Sequence, residues 1–188
     1  IENNQGRFAF KNVSLSDVLP IMQLLDADDF EMLAKGNANF VGKTEEIEYL
    51  QNQSRLSFSK AGMGDPLCLD NYSSLGGFKG LKKALFMKPQ EIVDEIKNSG
   101  LRGRGGAAFP TGIKWQTVLD TQHDKKYIVC NADEGDSGTF ADRLLMESDP
   151  CQLIEGMIIA GAAVGSDQGY IYLRSEYPYA HKTLNTAI

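Results

Sequence analysis

The sequence predicts an α/β fold, and three observations carry that prediction. Helical and strand-like runs alternate from Asp65 onward. Tyr127-Ile128-Val129-Cys130 and Gly169-Tyr170-Ile171-Tyr172-Leu173 are short, β-branched and aromatic runs of strand type. An acidic segment begins directly past the first of them, where open α/β sheets keep their sites.

Residues 1–65 read as an arm or connector, mostly irregular and helical. Ser16 is placed to cap a helix over Asp17 to Leu25, whose apolar positions Val18, Leu19, Ile21, Met22 and Leu25 have helical spacing. Asp29 to Ala34 forms a second short helix, Lys43 to Gln53 is charged and exposed, and Arg55 to Ser59 alternates like a strand. This stretch lacks the apolar mass for a core of its own.

Residues 66–188 form the main domain. Gly76-Gly77 precedes an apolar-periodic helix, Phe78 to Met87. Pro89 opens the next, Gln90 to Asn98, because proline fits the first helical turn, and Gly100 stops it. Thr111 is the expected N-cap of a helix from Gly112 to about Leu119. Pro150 to Val164 is an apolar helix ended by Gly165, and Pro178 to Ile188 starts another that has no stop signal, as truncation would leave it.

Bulk numbers narrow the function. The chain has 188 residues, 42% hydrophobic and 23% charged, the make-up of an ordinary globular protein. A net charge of -6 excludes the basic face of a nucleic-acid binder and suits an anionic membrane surface poorly. No apolar run approaches the roughly 20 residues of a membrane span. Cys68, Cys130 and Cys151 are too far apart for a metal or cluster motif and fit a reducing cytoplasm, so no metal site is expected. The chain opens at Ile1 with no initiator Met and no signal peptide, and reads as a piece of something longer.

Two segments carry chemistry. Gly100 to Trp115 holds four glycines between Gly100 and Gly106, followed by Phe109 and a helix start bearing Lys114. Glycine lets backbone N–H groups approach a phosphate, and Arg104, Lys114 and the helix N-terminus favour an anion. Gly103-x-Gly105-x-x-Ala108 matches a relaxed dinucleotide pattern, but a helix precedes it where that pattern needs a strand; Gly112-Ile113-Lys114 is not a Walker ending. A solvated surface turn is the competing reading. Phe109, beside Pro110, is placed to stack on a flat ligand or to join the core, as Trp115 does.

Cys130 to Arg143 places Asp133, Glu134 and Asp136 just past the strand. Hard cations, general acid–base pairs and inert acidic turns all use such clusters. Asn131 adds an amide that donates to and accepts from a heterocycle or sugar, and carboxylates suit ribose and ribityl hydroxyls. Together the segments suggest a nucleotide cofactor site.

Both segments, in this order, resemble the flavoprotein subunits of NAD-linked electron-transfer complexes. These include the NADH-binding subunit of complex I, the diaphorase subunit of bidirectional hydrogenases and the beta subunit of NAD-dependent formate dehydrogenases. The likeness runs from about Arg55 to Ile188. It includes Asp65-Pro66-Leu67, Asp70-Asn71-Tyr72, Gly76-Gly77-Phe78 and Tyr172-Leu173-Arg174-Ser175-Glu176-Tyr177-Pro178. The wording Glu134-Gly135-Asp136-Ser137-Gly138-Thr139-Phe140 is most similar to the formate dehydrogenase beta subunits, since hydrogenase-type relatives tend to have Pro where Ser137 stands.

The resemblance implies a three-layer, Rossmann-like FMN-binding domain, here incomplete. It implies that Gly103, Arg104, Gly105, Lys114, Asn131, Asp133 and Glu134 hold FMN, and that Phe109, Glu134 and Asp136 face NAD(H). Asp136 replaces the Glu of complex I members and shortens the reach by a methylene. Hydride transfer between two cofactors needs no catalytic side chain from the protein, and Glu134 positions the nicotinamide. The implied partners are a molybdenum catalytic subunit and a [2Fe–2S] subunit. The [4Fe–4S] cluster of the longer parent has no ligands in this chain, and these residues alone are expected to have an empty or damaged flavin site and no activity. The class that competes with the oxidoreductase is a nucleotide-binding or assembly module that moves no electrons.

Overall fold

The computed structural model describes residues 1–188. The chain divides into two units, Ile1–Leu56 and Ser57–Ile188. The sequence places the end of the arm at residue 65. Ser57 and Lys60, however, are tied to the larger unit: the Ser57 carbonyl accepts from Gln152 Nε2 at 2.9 Å and Lys60 Nζ donates to Gln152 Oε1 at 2.5 Å.

The smaller unit has a core, contrary to the coreless connector expected. A three-stranded antiparallel sheet, β1 (Glu2–Asn3), β2 (Gly6–Phe10) and β3 (Phe40–Lys43), runs in that order. Alternation along β2 puts Phe8 and Phe10 on one face. They meet Phe30 and Phe40, with ring centroids 4.7 Å apart for Phe8–Phe30 and 5.4 Å for Phe10–Phe40. Four aromatic rings from three distant places supply the apolar mass that local patterning hides.

Helix α1 spans Leu15–Met22 rather than Asp17–Leu25, and its cap is Ser14, not Ser16. The Asp17 carboxylate accepts the Ser14 N–H at 2.8 Å, the back-bond that fixes the helix entry. Asp29 caps α2 (Phe30–Ala34) by accepting Met32 N at 3.1 Å. A short α3 (Glu48–Gln51) follows. Arg55 to Ser59 forms no strand, because it finds no ladder partner.

The larger unit runs α4 (Leu69–Ser74), α5 (Lys79–Ala84), α6 (Pro89–Asn98), α7 (Thr111–Asp120), β4 (Tyr127–Ala132), α8 (Ala141–Ser148), α9 (Pro150–Val164), β5 (Gln168–Leu173) and α10 (Pro178–Ala187). Helices and strands stand where the sequence predicts them. Helices α4 and α8 are additional, since each is short and lacks an apolar stripe long enough to register in sequence. Thr111 is the first helical residue and Pro110 the cap, one position earlier than expected.

Strands β4 and β5 pair in parallel, Tyr127 opposite Gln168 through Ala132 opposite Leu173. One face, Ile128, Cys130, Ala132, Ile171 and Leu173, packs on helices: Ile128 joins the cluster of Ala84, Ile92, Val93, Ala163 and Val164, and the others join Met146, Tyr177, Ala180 and Leu184. The other face carries Val129, Tyr170 and Tyr172, exposed by 64%, 51% and 66%. These residues thus form two layers, helices on one side of two strands; the three expected would need that open face covered.

Gly112 explains how α7 seats on α6. A Cβ there would lie 2.5 Å from Lys97 Cγ and 2.8 Å from Lys97 N, so only glycine permits the contact. Trp115 and Leu119 then reach the main core, as structural residues.

Candidate functional site

The glycine loop follows α6, so it is not a strand-to-helix dinucleotide turn. Its ends are pinned into a tight hairpin. Arg102 and Pro110 form an antiparallel bridge, Gly103 N donates to Phe109 O at 2.9 Å, and Thr111 N donates to Leu101 O at 2.9 Å. Arg102 spends its guanidinium inside the loop, on Ala108 O at 2.9 Å. Ala108 and Gly106 both have positive φ, 49° and 90°, which turns the loop crown outward.

The cations that remain are Arg104 and Lys114. Both are exposed, and neither has a carboxylate partner. Lys114 Nζ sits 5.8 Å from the Phe109 ring centroid and lies 3.8 Å from where a Gly103 Cβ would be. Nothing stands within 4 Å of a Cβ at Gly105 or Gly106. Gly103, Phe109 and Lys114 therefore come together, Gly105 and Gly106 leave the crown beside them open, and Arg104 on the loop adds a second exposed, uncompensated cation. Such a crown fits a phosphate, which takes backbone N–H groups and a nearby ammonium. Phe109, 47% exposed, is not a core residue.

The acidic segment leaves β4 at Ala132, at the carboxyl edge of the parallel pair. Asn131 lies on the open face of β4, and its Oδ1 accepts Asp133 N at 3.1 Å, leaving the amide NH₂ unengaged. Asp133 and Asp136 are exposed and face no cation.

Glu134 differs from both. Its φ is 44°, a left-handed value for a residue with a side chain. That turn folds the carboxylate onto the N-terminus of α8: Oε1 accepts Asp142 N at 2.7 Å and Oε2 accepts Arg143 N at 3.0 Å. Tyr177 Oη donates to Oε2 at 2.9 Å, and Arg174 Nη1 donates to the Glu134 carbonyl at 2.7 Å. Burial raises the Glu134 pKa, but the backbone N–H groups at the start of α8 and the Tyr177 hydroxyl together outweigh it and hold the carboxyl below its ordinary value. Burial and the Glu134 charge push Asp142 up, while Arg174, first among several donors, holds Glu176 down to about 2.

Sequence reasoning misses Tyr177, Arg174 and Arg143. Arg143 and Arg174 place their guanidinium carbons 5.4 Å and 5.1 Å from the Tyr177 ring centroid. A signal is present: Arg174 and Tyr177 follow the second strand as the acidic segment follows the first, so parallel pairing brings them to one edge. No hydrogen bond or ion pair joins the glycine crown to the acidic segment; each is built separately.

Comparison with known proteins places this geometry in a family. Residues 96–188 match the Nuo51 FMN-binding domain. The chain is 51% identical over 138 residues to the HndC subunit of the NADP-reducing hydrogenase of Solidesulfovibrio fructosivorans, covering 73% of this chain and 28% of that one. It is 49% identical over 120 residues to an NADH-quinone oxidoreductase subunit of Aquifex aeolicus, covering 64% and 28%. It is 48% identical over 125 residues to the corresponding NADH-quinone oxidoreductase subunit of Escherichia coli, covering 65% and 28%. A crystal structure of an NAD⁺-reducing [NiFe]-hydrogenase in the H₂-reduced state matches with a TM-score of 0.57 at 38% identity, over 66% of this chain and 22% of that one. The chain thus spans a little over a quarter of the length of these curated relatives. Through residues 96–188, the chain belongs to the FMN-binding, complex I NADH-binding-subunit-like flavoprotein family.

Proposed function

We propose that this chain supplies the phosphate side of an FMN site and part of the adjoining NAD(H) site in one subunit of a multi-subunit oxidoreductase. The observation that carries this reading is the glycine crown, bare of side chains and bordered by the unpaired cations Arg104 and Lys114. The family match over residues 96–188 supports it.

FMN, when bound, supplies hydride exchange with NAD(H) and one-electron delivery to iron–sulfur clusters. The chain's own residues bind and orient. Gly105 presents its backbone N–H group to the phosphate; Gly103, whose own N–H closes the hairpin on Phe109 O, leaves room beside Lys114, and Arg104 and Lys114 neutralise the charge. Asn131 and Asp133 offer hydrogen bonds to the flavin side. Phe109 gives the nucleotide a flat apolar face, and Asp136 an acceptor for a ribose hydroxyl. No side chain acts as a nucleophile.

The finer reading is the beta subunit of an NAD-dependent formate dehydrogenase, supported by the Glu134 to Phe140 wording with Ser137 in place of Pro. Its partners would be a molybdenum catalytic subunit and a [2Fe–2S] subunit in the cytoplasm, with a [4Fe–4S] cluster elsewhere in the longer subunit. A hydrogenase diaphorase is the second reading, favoured by the 51% identity to HndC.

An NADH oxidation assay with an artificial acceptor, on the holoprotein, tests the reaction class. Turnover that disappears when FMN is stripped and returns on reconstitution is expected; FMN-independent or absent turnover contradicts it and favours a nucleotide-binding module. Reduction of NAD⁺ by formate, but not by hydrogen, in the assembled complex separates the two finer readings.

A further inference from the structure

We infer that the corner between α5 and α6 is a docking surface for a partner subunit: Phe86 and Leu85 seat in an apolar pocket of that subunit, and carboxylates on the pocket rim face Lys79, Lys82 and Lys88. This rests on the chain being one subunit of a multi-subunit oxidoreductase, as proposed above.

The sequence periodicity that predicts a helix to Met87 runs past the real end of α5. The helix stops at Ala84, and the chain turns through Leu85 and Phe86 before Pro89 opens α6. Phe86 is 94% exposed and Leu85 65%. Single apolar residues are ordinary on a surface. These two are adjacent, one is aromatic, and the turn that carries them is held on both sides. Phe86 N donates to Lys83 O at 3.2 Å and Met87 N to Ala84 O at 3.0 Å. Ala84 is buried, and Met87 packs against the cluster that holds Ile92 and Val93. Glu91 accepts Lys88 N at 2.7 Å, and Lys83 pairs with Glu95 at 2.7 Å, tying α5 to α6. The backbone under the ring is ordered before any partner arrives, which lowers the ordering cost of binding.

Charge selects the occupant. Lys79 and Lys82 stand one turn apart on α5, Phe86 follows one turn beyond Lys82, and Lys88 comes two residues later. None of these three ammonium groups pairs with a carboxylate, whereas Lys83 and Lys97 do. In a chain of net charge -6, the exposed ring thus sits in a local excess of positive charge. Aromatic residues are enriched at interface cores, while lysine is depleted there and left to the rim. Complementary potentials then call for an acidic rim on the partner. A second copy of this chain does not fit, because a two-fold contact through this corner sets the same lysines against each other. An anionic bilayer would meet the chain's overall negative charge. The corner is small beside the roughly 800 Å² that a stable interface buries on each side, so it is the anchor of a larger contact.

The test uses the assembled complex and the full-length subunit. A zero-length carbodiimide joins an ammonium to a carboxylate it touches. It is expected to link Lys79, Lys82 or Lys88 to an Asp or Glu of a different subunit. Phe86→Ser should weaken the affinity of the subunit for the rest of the complex by about thirtyfold, the size of a hot-spot residue. Lys82→Glu should weaken it by about fivefold at low salt, and that deficit should shrink as salt rises. Both side chains are exposed, so thermal unfolding, FMN content and NADH oxidation with an artificial acceptor should stay at parental values in both variants.

Cross-links confined to this subunit or joining two copies of it, or a Phe86→Ser subunit that assembles with parental affinity, would overturn the inference. So would binding of the parent to vesicles of phosphatidylcholine and phosphatidylserine that Phe86→Ser abolishes. A subunit that isolates with no partner overturns it too, while its FMN content decides the flavin reading separately. A complex that assembles without FMN sinks the flavin reading instead, and the cross-link still decides the docking.

Discussion

Glu134 and Glu155 are the same device used twice. Each carboxylate accepts one tyrosine hydroxyl and two backbone N–H groups from the start of a helix. Glu155, on α9, takes Tyr72 Oη, Phe78 N at 2.8 Å and Leu81 N at 2.9 Å. In each case the adjoining turn contains a left-handed residue with a side chain, Phe78 at φ 62° or Glu134 at 44°.

The surroundings differ. Glu155 is 8% exposed and sits beside Lys60, which stacks on Tyr72 at 5.1 Å and pairs with buried Asp149 at 3.3 Å. Asp149 Oδ2 has that ion pair and no aligned hydrogen bond, because the ammonium acts on it as a non-directional charge. Glu134 lies at the rim, between two uncommitted aspartates. One clamp closes the core and the other shapes a site edge, from the same chemistry at different depth.

Variants can break or sharpen that contrast. Glu155→Ala carries the largest expected effect. It strands a buried phenol and two amides, and should destabilise by about 3–5 kcal/mol in chemical denaturation. A loss under about 1 kcal/mol would mean that depth does not distinguish the two clamps. Gly112→Ala should cost about 1–3 kcal/mol, because the new methyl meets Lys97 backbone atoms. Gly105→Ala, with open space around it, should leave the denaturation midpoint unchanged and lower FMN affinity.

Glu134→Ala is expected to cost less, about 1–2 kcal/mol, as a half-buried helix cap does, while affecting NADH kinetics far more than Glu155 variants of equal residual stability. The pH dependence follows from the sign. Both glutamates have folded-state pKa values held below the ordinary value, so their stabilisation is present above it and lost as pH falls through the lowered values. Acid titration of Glu134→Gln should therefore show a shallower loss of stability than the parent. Lys114→Gln, like Gly105→Ala, should change stability by no more than about 0.5 kcal/mol, since its Nζ pairs with no carboxylate.

Much of the larger unit is legible in sequence because its signals are local. Pro89, Pro150 and Pro178 each open a helix, Gly100 and Gly165 each end one with positive φ, and both strands are short apolar runs. The smaller unit is harder to read because its core gathers Phe8, Phe10, Phe30 and Phe40 across the sequence, and no local window shows them as a set. In the site, the glycine crown and the acidic segment can be found from composition. The commitment of Glu134 cannot, because its partners lie up to 43 residues away and meet it only through parallel pairing.

The central claim is that the crown of Gly103, Arg104, Gly105 and Lys114 holds the FMN phosphate. Flavin absorbance of the purified full-length protein, compared with its Gly103→Val and Lys114→Gln variants, tests it most directly. The expected result is full FMN occupancy in the parent, a loss of about tenfold or more in affinity in both variants, and unchanged thermal unfolding for Lys114→Gln. Parent-level FMN binding in both variants would contradict the account.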